Sequence, residues 1–290
     1  MLPGILFALL TSVSWALANV FIQRSGNVMG APRSLLYALM VGALASLGAA
    51  FFLDHPTEPL APSHFAWLGV AGVFGLLGYA GMFLAFEKAD LTVSVPVVSS
   101  WSMVAAAFSV FVLGERPDAH HFVGVALVCA GVLTVAIAST RSGANQTAEG
   151  RRTGIFAVAS AAAGAVGFGI MIPTFGFVSP ALGAFGASAA VYALCVVLGI
   201  PLALLTRQSL ALPPRGSWNL VVITGLAETV GFVAIALGRR YAPITVVAPV
   251  SSLAATITVI YAWAVLRQRQ SVWSLAGGAL VCVGVVVLAL

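Results

Sequence analysis

The sequence is poor in charge. Of 290 residues, 13 are Lys or Arg and 8 are Asp or Glu, together 7%, whereas a soluble domain carries ~25%. So few ionised groups do not cover a water-facing surface. A soluble globular enzyme is therefore excluded, and the apolar composition excludes a disordered chain. The net charge is +5, but there is no basic stripe with interleaved aromatics, so no nucleic-acid partner is expected. Cysteine is scarce as well. Cys129, Cys195 and Cys282 form an odd set inside apolar runs, which gives no disulfide framework and no metal site. His55, His64, His120 and His121 sit at run ends without metal-ligand spacing, and no metal or cofactor is expected. No basic region precedes the first run, Gly4 to Ile22. That run is expected to remain as a membrane helix rather than be removed as a signal peptide.

What the chain has in excess is apolar length. Hydrophobic types make up 61% of it, with a mean hydropathy of +1.08. Near-continuous runs fall at about 4–23, 34–53, 65–86, 91–112, 119–138, 154–173, 181–205, 217–238, 242–264 and 272–290. Each is near the ~20 residues a helix needs to cross a bilayer. None alternates with period two, so barrel strands are excluded and an all-α integral membrane protein of ten transmembrane helices is expected. Charges and turn formers collect between the runs, as in Gln23-Arg24-Ser25-Gly26-Asn27, Asp54-His55-Pro56-Thr57-Glu58-Pro59 and Pro213-Pro214-Arg215-Gly216. The longest polar stretch, Ser139 to Thr153, divides the chain into 1–140, a linker at 141–153, and 154–290.

The two parts resemble each other. Shifted by 153 residues, Thr92-Val93-Ser94-Val95-Pro96-Val97-Val98-Ser99 falls on Thr245-Val246-Val247-Ala248-Pro249-Val250-Ser251-Ser252. At the same offset, Gly124-Val125-Ala126-Leu127-Val128-Cys129-Ala130-Gly131 falls on Gly277-Gly278-Ala279-Leu280-Val281-Cys282-Val283-Gly284. Gly72, Gly78 and Leu84 fall on Gly225, Gly231 and Leu237. A fixed offset carrying Pro, Gly, Cys and Ser through three spans marks an internal repeat. Five spans per repeat is odd, so the second five-helix repeat is expected to run inverted to the first. That architecture places a solute site near the midplane and opens alternately to either side.

Charge sets an expected orientation. On the side of the termini stand Arg116, Arg239 and Arg240; the other ten Lys and Arg lie opposite. The positive-inside rule puts the termini outside.

Leu113-Gly114-Glu115-Arg116 closing the fourth span, the glycine-rich fifth span and Trp15-Ala16-Leu17-Ala18-Asn19 in the first resemble the EamA type of the drug/metabolite transporter superfamily. The resemblance covers the whole chain and is greatest to the bacterial aromatic amino-acid exporters of the YddG type. It implies small-molecule transport across a bacterial cytoplasmic (inner) membrane, no enzymatic activity, and cytoplasmic termini, against the charge count. Leu266-Arg267-Gln268-Arg269 departs from the Gly-Glu pattern in the second repeat, so this motif is not expected to form a symmetric site.

The membrane interior narrows the solute class. Only Glu228 among the ionised types lies deep in a span. Without an internal Lys or Arg, a phosphorylated solute has no counter-charge. Neither a His-Glu-x-x-His, nor a buried Asp pair, nor a Ser-His pair within spans supports an intramembrane enzyme. Aromatic and other apolar amino acids, or similar neutral metabolites, fit best. An alternative is proton-coupled drug or metabolite efflux using Glu228. Pro96 and Pro249 interrupt matching spans and free carbonyls; Ser99, Ser100, Ser251 and Ser252 follow them, with Trp101 within a turn. Tyr79 and Met82 share a face of the third span with Gly75 and Gly78; Glu228 and Phe232 share one of the eighth with Gly231 and Ile235; Trp15 and Asn19 share one of the first. Together these side chains are expected to bind substrate. Packing within helices is the competing reading for each, and a hydrogen bond to Thr224 that for Glu228. Trp67, Trp218, Trp263 and Trp273 read as interfacial belt, and the paired glycines as close-packing surfaces. The chain is expected to act as a monomer among membrane lipids.

Overall fold

A computed structural model describes residues 2–114, 148–242, 244–268 and 271–288, with scattered helical residues between 122 and 138. Among the described residues the regular structure is helical, without strands. The helices are α1 (Leu2–Met29), α2 (Ala31–Leu53), α3 (Pro62–Lys88), α4 (Leu91–Ser99), α5 (Trp101–Leu113), α6 (Ala148–Leu182), α7 (Ala184–Leu205), α8 (Trp218–Gly238), α9 (Ile244–Ser251), α10 (Ala254–Ala264) and α11 (Val272–Leu288). Seven segments among them are long and apolar enough to cross a membrane, with α4 and α5 together making one; Ala254–Ala264 and Leu275–Gly284 are shorter apolar helices. The expected fifth span lies largely outside the described residues, as do the Gly-Glu motif after Gly114 and residues 141–147 of the linker.

Three boundaries differ from expectation. The connector Gln23–Asn27 is helical, because its polar groups find partners. Gln23 Nε2 donates to the carbonyls of Phe86 (3.3 Å) and Ala89 (3.1 Å), and the Ser25 and Ser34 hydroxyls meet at 2.5 Å. The chain turns instead at Gly30, whose φ of +85° is left-handed and favours glycine. The linker is helical from Ala148 onward. The fourth and ninth spans are each broken in two. At the first break Ser100 N–H bonds back to Val97 (3.2 Å), tightening the chain into a turn four residues after Pro96.

Helix starts recur at the repeat offset. Ala31 and Ala184, Leu91 and Ile244, and Trp101 and Ala254 each begin helices 153 residues apart. Gly30 and Gly183 precede the first pair, both at positive φ. The starts of α2 and α7 each receive a carboxylate from elsewhere. Glu87 Oε2 accepts from Ala31 N–H at 2.5 Å, and Asp54 accepts from Phe185 and Gly186 N–H at 3.2 and 2.6 Å. A carboxylate there satisfies unpaired N–H groups and complements the helix dipole.

The packing is reciprocal. α1 lies antiparallel against α8, with Gly4 on Ala242 and the Thr11 hydroxyl donating to Gly231 O at 3.1 Å. α3 lies antiparallel against α6, in the most extensive interface, with Gly75 on Met171, Gly78 on Phe168 and Gly81 on Ser160. α2 lies antiparallel against α7, with Leu36 on Gly199 and Gly42 on Tyr192. α1 and α3 run the same way, their final turns joined by Gln23 and by Gly26 against Glu87. Backbones approach closely where glycines meet. A Cβ on Gly167 would stand 2.2 Å from Gly78 N, and one on Gly81 2.5 Å from Ser160 O. In lipid, such contact supplies the helix attraction that apolar side chains alone do not.

Candidate functional site

α1, α3, α4, α5, α6, α8 and the α9–α10 break converge on a central cavity of about 430 Å³ of empty space, open margins included. Every lining residue is buried. Both ends of α1 are tied to the second half of the chain. At one, Gln268 Nε2 donates to Gln23 Oε1 at 3.0 Å. At the other, Phe7 stacks on Tyr241 with centroids 6.0 Å apart, and Arg239 Nη1 donates to Pro173 O at 2.7 Å.

Of the residues expected from sequence, Trp15, Asn19, Met82, Ser99 and Trp101 line the cavity from the first half of the chain. Glu228, Phe232, Ser251 and Ser252 line it from the second. Four do not. Tyr79 lies behind the wall, fully buried, and donates through its hydroxyl to Glu228 Oε2 at 3.2 Å. Ser100 spends its hydroxyl on Val97 O at 2.7 Å. Pro96 lines a separate apolar cleft against α10 and α11. The side chain of Pro249 lies outside what is described. The sequence reading missed Phe86, Val95, Val98, Phe168, Ile172 and Ala254. The repeat offset could have found most of them. Phe168, Ile172 and Ala254 are the counterparts of Trp15, Asn19 and Trp101, and Val98 is that of Ser251.

Aromatic rings dominate the wall. Phe232 lies 5.1 Å from Trp15, 5.7 Å from Phe175 and 6.0 Å from Tyr79 between centroids, and Trp15 meets Trp101 edge-on at 5.8 Å. These spacings suit ring-to-ring attraction. Trp15 stays in place because Gly231 leaves room: a Cβ there would stand 2.3 Å from its Nε1.

The polar groups divide into spent and free. Asn19 Nδ2 donates to Thr258 Oγ1 at 3.1 Å, and Ser252 Oγ to Ala248 O at 3.0 Å. Ser12, on α1 outside the lining, donates to Val250 O at 2.7 Å and so takes up a carbonyl left open at the end of α9. Trp15 Nε1 and Ser251 Oγ are buried with no hydrogen-bond partner. Thr224 gives its hydroxyl to Leu220 O at 2.8 Å, so it is not the partner of Glu228. Among the described residues no Lys or Arg lines the cavity. Among the described residues no group of three or more His, Cys, Asp or Glu is placed to hold a metal.

The EamA-like transporter family matches this chain twice, over residues 2–137 and 154–290. The chain belongs to the EamA-like transporter family. It is therefore a multi-pass membrane protein of a family that transports small molecules rather than an enzyme family. No curated relative matches the sequence. A solved crystal structure of a protein shares the EamA-like fold seen here, with a TM-score of 0.70 over 99% of this chain and 98% of that one, at 18% identity. At that identity the likeness speaks for fold alone.

Proposed function

We propose that this EamA-like transporter moves aromatic and other apolar amino acids, or similar neutral metabolites, across a bacterial inner membrane as an exporter or facilitator. It works by alternating access between two inverted five-helix repeats. The observation that carries this reading is the buried cavity, walled by aromatic rings, with no Lys or Arg among its described lining residues and with polar atoms awaiting a partner. The inverted arrangement is supported by helix direction. α6 is the counterpart of α1, yet it runs antiparallel to α3, which itself runs with α1. The paired family matches and the recurring helix starts support ten spans. In an inverted pair, tightening one end while loosening the other alternates access without rebuilding the cavity.

Purified protein in liposomes should give saturable uptake of labelled phenylalanine that unlabelled aromatic amino acids compete. Flux of some other solute with none for any amino acid overturns the reading.

Glu228 favours a second reading. Among the described residues it is the one ionisable side chain in the cavity wall, and it accepts a hydrogen bond from the neutral Tyr79 hydroxyl. A buried carboxylate of this kind can carry a proton in exchange for substrate. Under an imposed pH gradient, Glu228→Gln should then lose gradient-driven flux; unchanged flux removes coupling through this residue.

A further inference from the structure

We propose that the cavity selects its solutes by charge as well as by ring, taking an aromatic primary amine of net charge plus one over the zwitterionic amino acid with the same ring. This rests on the reading above that the central cavity carries small aromatic solutes, and it ranks the aromatic amine ahead of the amino acid among them.

The argument is a comparison of what each ligand end would meet. An ammonium group meets Glu228, whose Oε2 already accepts from Tyr79 and whose side chain is 5% exposed. It also meets ring faces, since Trp15, Trp101 and Phe232 stand together at 5.1 to 5.8 Å around the same space. Indole and phenyl faces attract a cation, more strongly where water is excluded. A ligand carboxylate fares worse. No guanidinium or ammonium faces the cavity. The Asn19 amide and the Ser252 hydroxyl are already committed to Thr258 and Ala248. The donors left for it are the Trp15 N–H and the hydroxyls of Ser99 and Ser251, and the N–H is pressed against Gly231.

Net charge leads to the same preference. A monocation paired with the Glu228 carboxylate leaves the enclosed site neutral, whereas the carboxylate that a zwitterion brings with it finds no cation among the described lining residues to pair with. An uncompensated charge enclosed away from water is strongly disfavoured, and removing the partner of a buried ion pair is more costly than never burying it. The amine therefore gains a counter-charge in the cavity, while the carboxylate of the amino acid loses its hydration for little in return.

The test uses three solutes that share a phenyl ring and differ in charge: phenethylamine, phenylalanine and phenylpropionate. Binding to the purified full-length protein is followed by tryptophan fluorescence and by calorimetry, and uptake is measured in liposomes. Phenethylamine should bind at least ~10-fold more tightly than phenylalanine, about one RT ln 10 step, and phenylpropionate should bind weakest. Glu228→Gln should abolish that preference by weakening amine binding. Glu228→Asp, which keeps the charge, should retain part of it. If Glu228→Gln does not fold, the ranking on the unaltered protein still decides. Equal or tighter binding of phenylalanine overturns the proposal and leaves the transport reading standing. If none of the three solutes binds or moves, both fall.

Discussion

At the residue scale, the site depends on one ring held in place and one carboxylate held by a hydroxyl. Gly231 leaves Trp15 its space. Gly231→Ala puts a methyl where the indole nitrogen now lies, and an indole walled by Phe232 and Trp101 has little room to yield. We expect uptake to fall at least ~10-fold while circular dichroism stays helical, because overpacking of this kind costs ~1–3 kcal/mol. Tyr79 acts on the cavity through Glu228 rather than by touching a solute. Tyr79→Phe keeps the ring among Phe168, Tyr192 and Phe232 but removes the donor. A buried acceptor left without its donor costs ~1–3 kcal/mol, so the melting temperature in detergent should drop by several degrees. An unchanged melting temperature would mean the hydroxyl contributes nothing to that carboxylate. Nine of the thirteen residues picked from sequence line the cavity. Tyr79, Pro96 and Ser100, which do not, were chosen by a rule blind to side-chain direction: Pro96 and Ser100 flank a break, but the break turns them elsewhere. Sequence could not decide this, because a broken helix has no single face.

At the element scale, the fold relies on close helix crossings. α3 and α6 touch backbone to backbone at Gly78, Gly81, Gly164 and Gly167. Gly81→Leu is expected to force these helices apart and abolish a monodisperse peak on size exclusion. Gly48→Leu, on α2 where nothing lies within 4 Å, should leave the peak unchanged. Equal behaviour of the two variants would contradict the packing described. That seven segments among the described residues are long and apolar enough to cross a membrane was readable from apolar length, as were their rough limits. The ends were not. α1 continues past its polar stretch because Gln23 reaches carbonyls on α3, a partner more than sixty residues away that no local pattern reveals. The split of the fourth and ninth spans is likewise a consequence of turns whose register only the packed chain fixes.

At the scale of the whole molecule, the direction of each half is the quantity to measure. His55 follows α2 and Ser209 follows α7, and both are exposed. Were the halves parallel, these two positions would share a face of the membrane. With inverted halves they lie on opposite faces, Tyr241 on the face of His55 and Asn27 on that of Ser209. Single cysteines at these four sites, in a background without the native cysteines, should label in those two pairs with a membrane-impermeant reagent on oriented vesicles. Labelling of His55→Cys and Ser209→Cys from one side would overturn the inverted arrangement. The same experiment reads the absolute orientation, for which ten of the thirteen basic residues favour the Ser209 face as cytoplasmic.

The sequence alone determined the solvent. With 7% charged residues the chain belongs in lipid, and lipid demands helices because each segment must satisfy its own backbone. It also carried the repeat, since a fixed offset of Pro, Gly, Cys and Ser survives in linear order. Only the tertiary structure decided which faces meet. Glu228 pairs with Tyr79 across 149 positions, and Phe168 and Ile172 join Trp15 and Asn19 at one cavity. Such meetings depend on helix rotation and close approach, which apolar sequences of nearly uniform hydropathy do not encode locally.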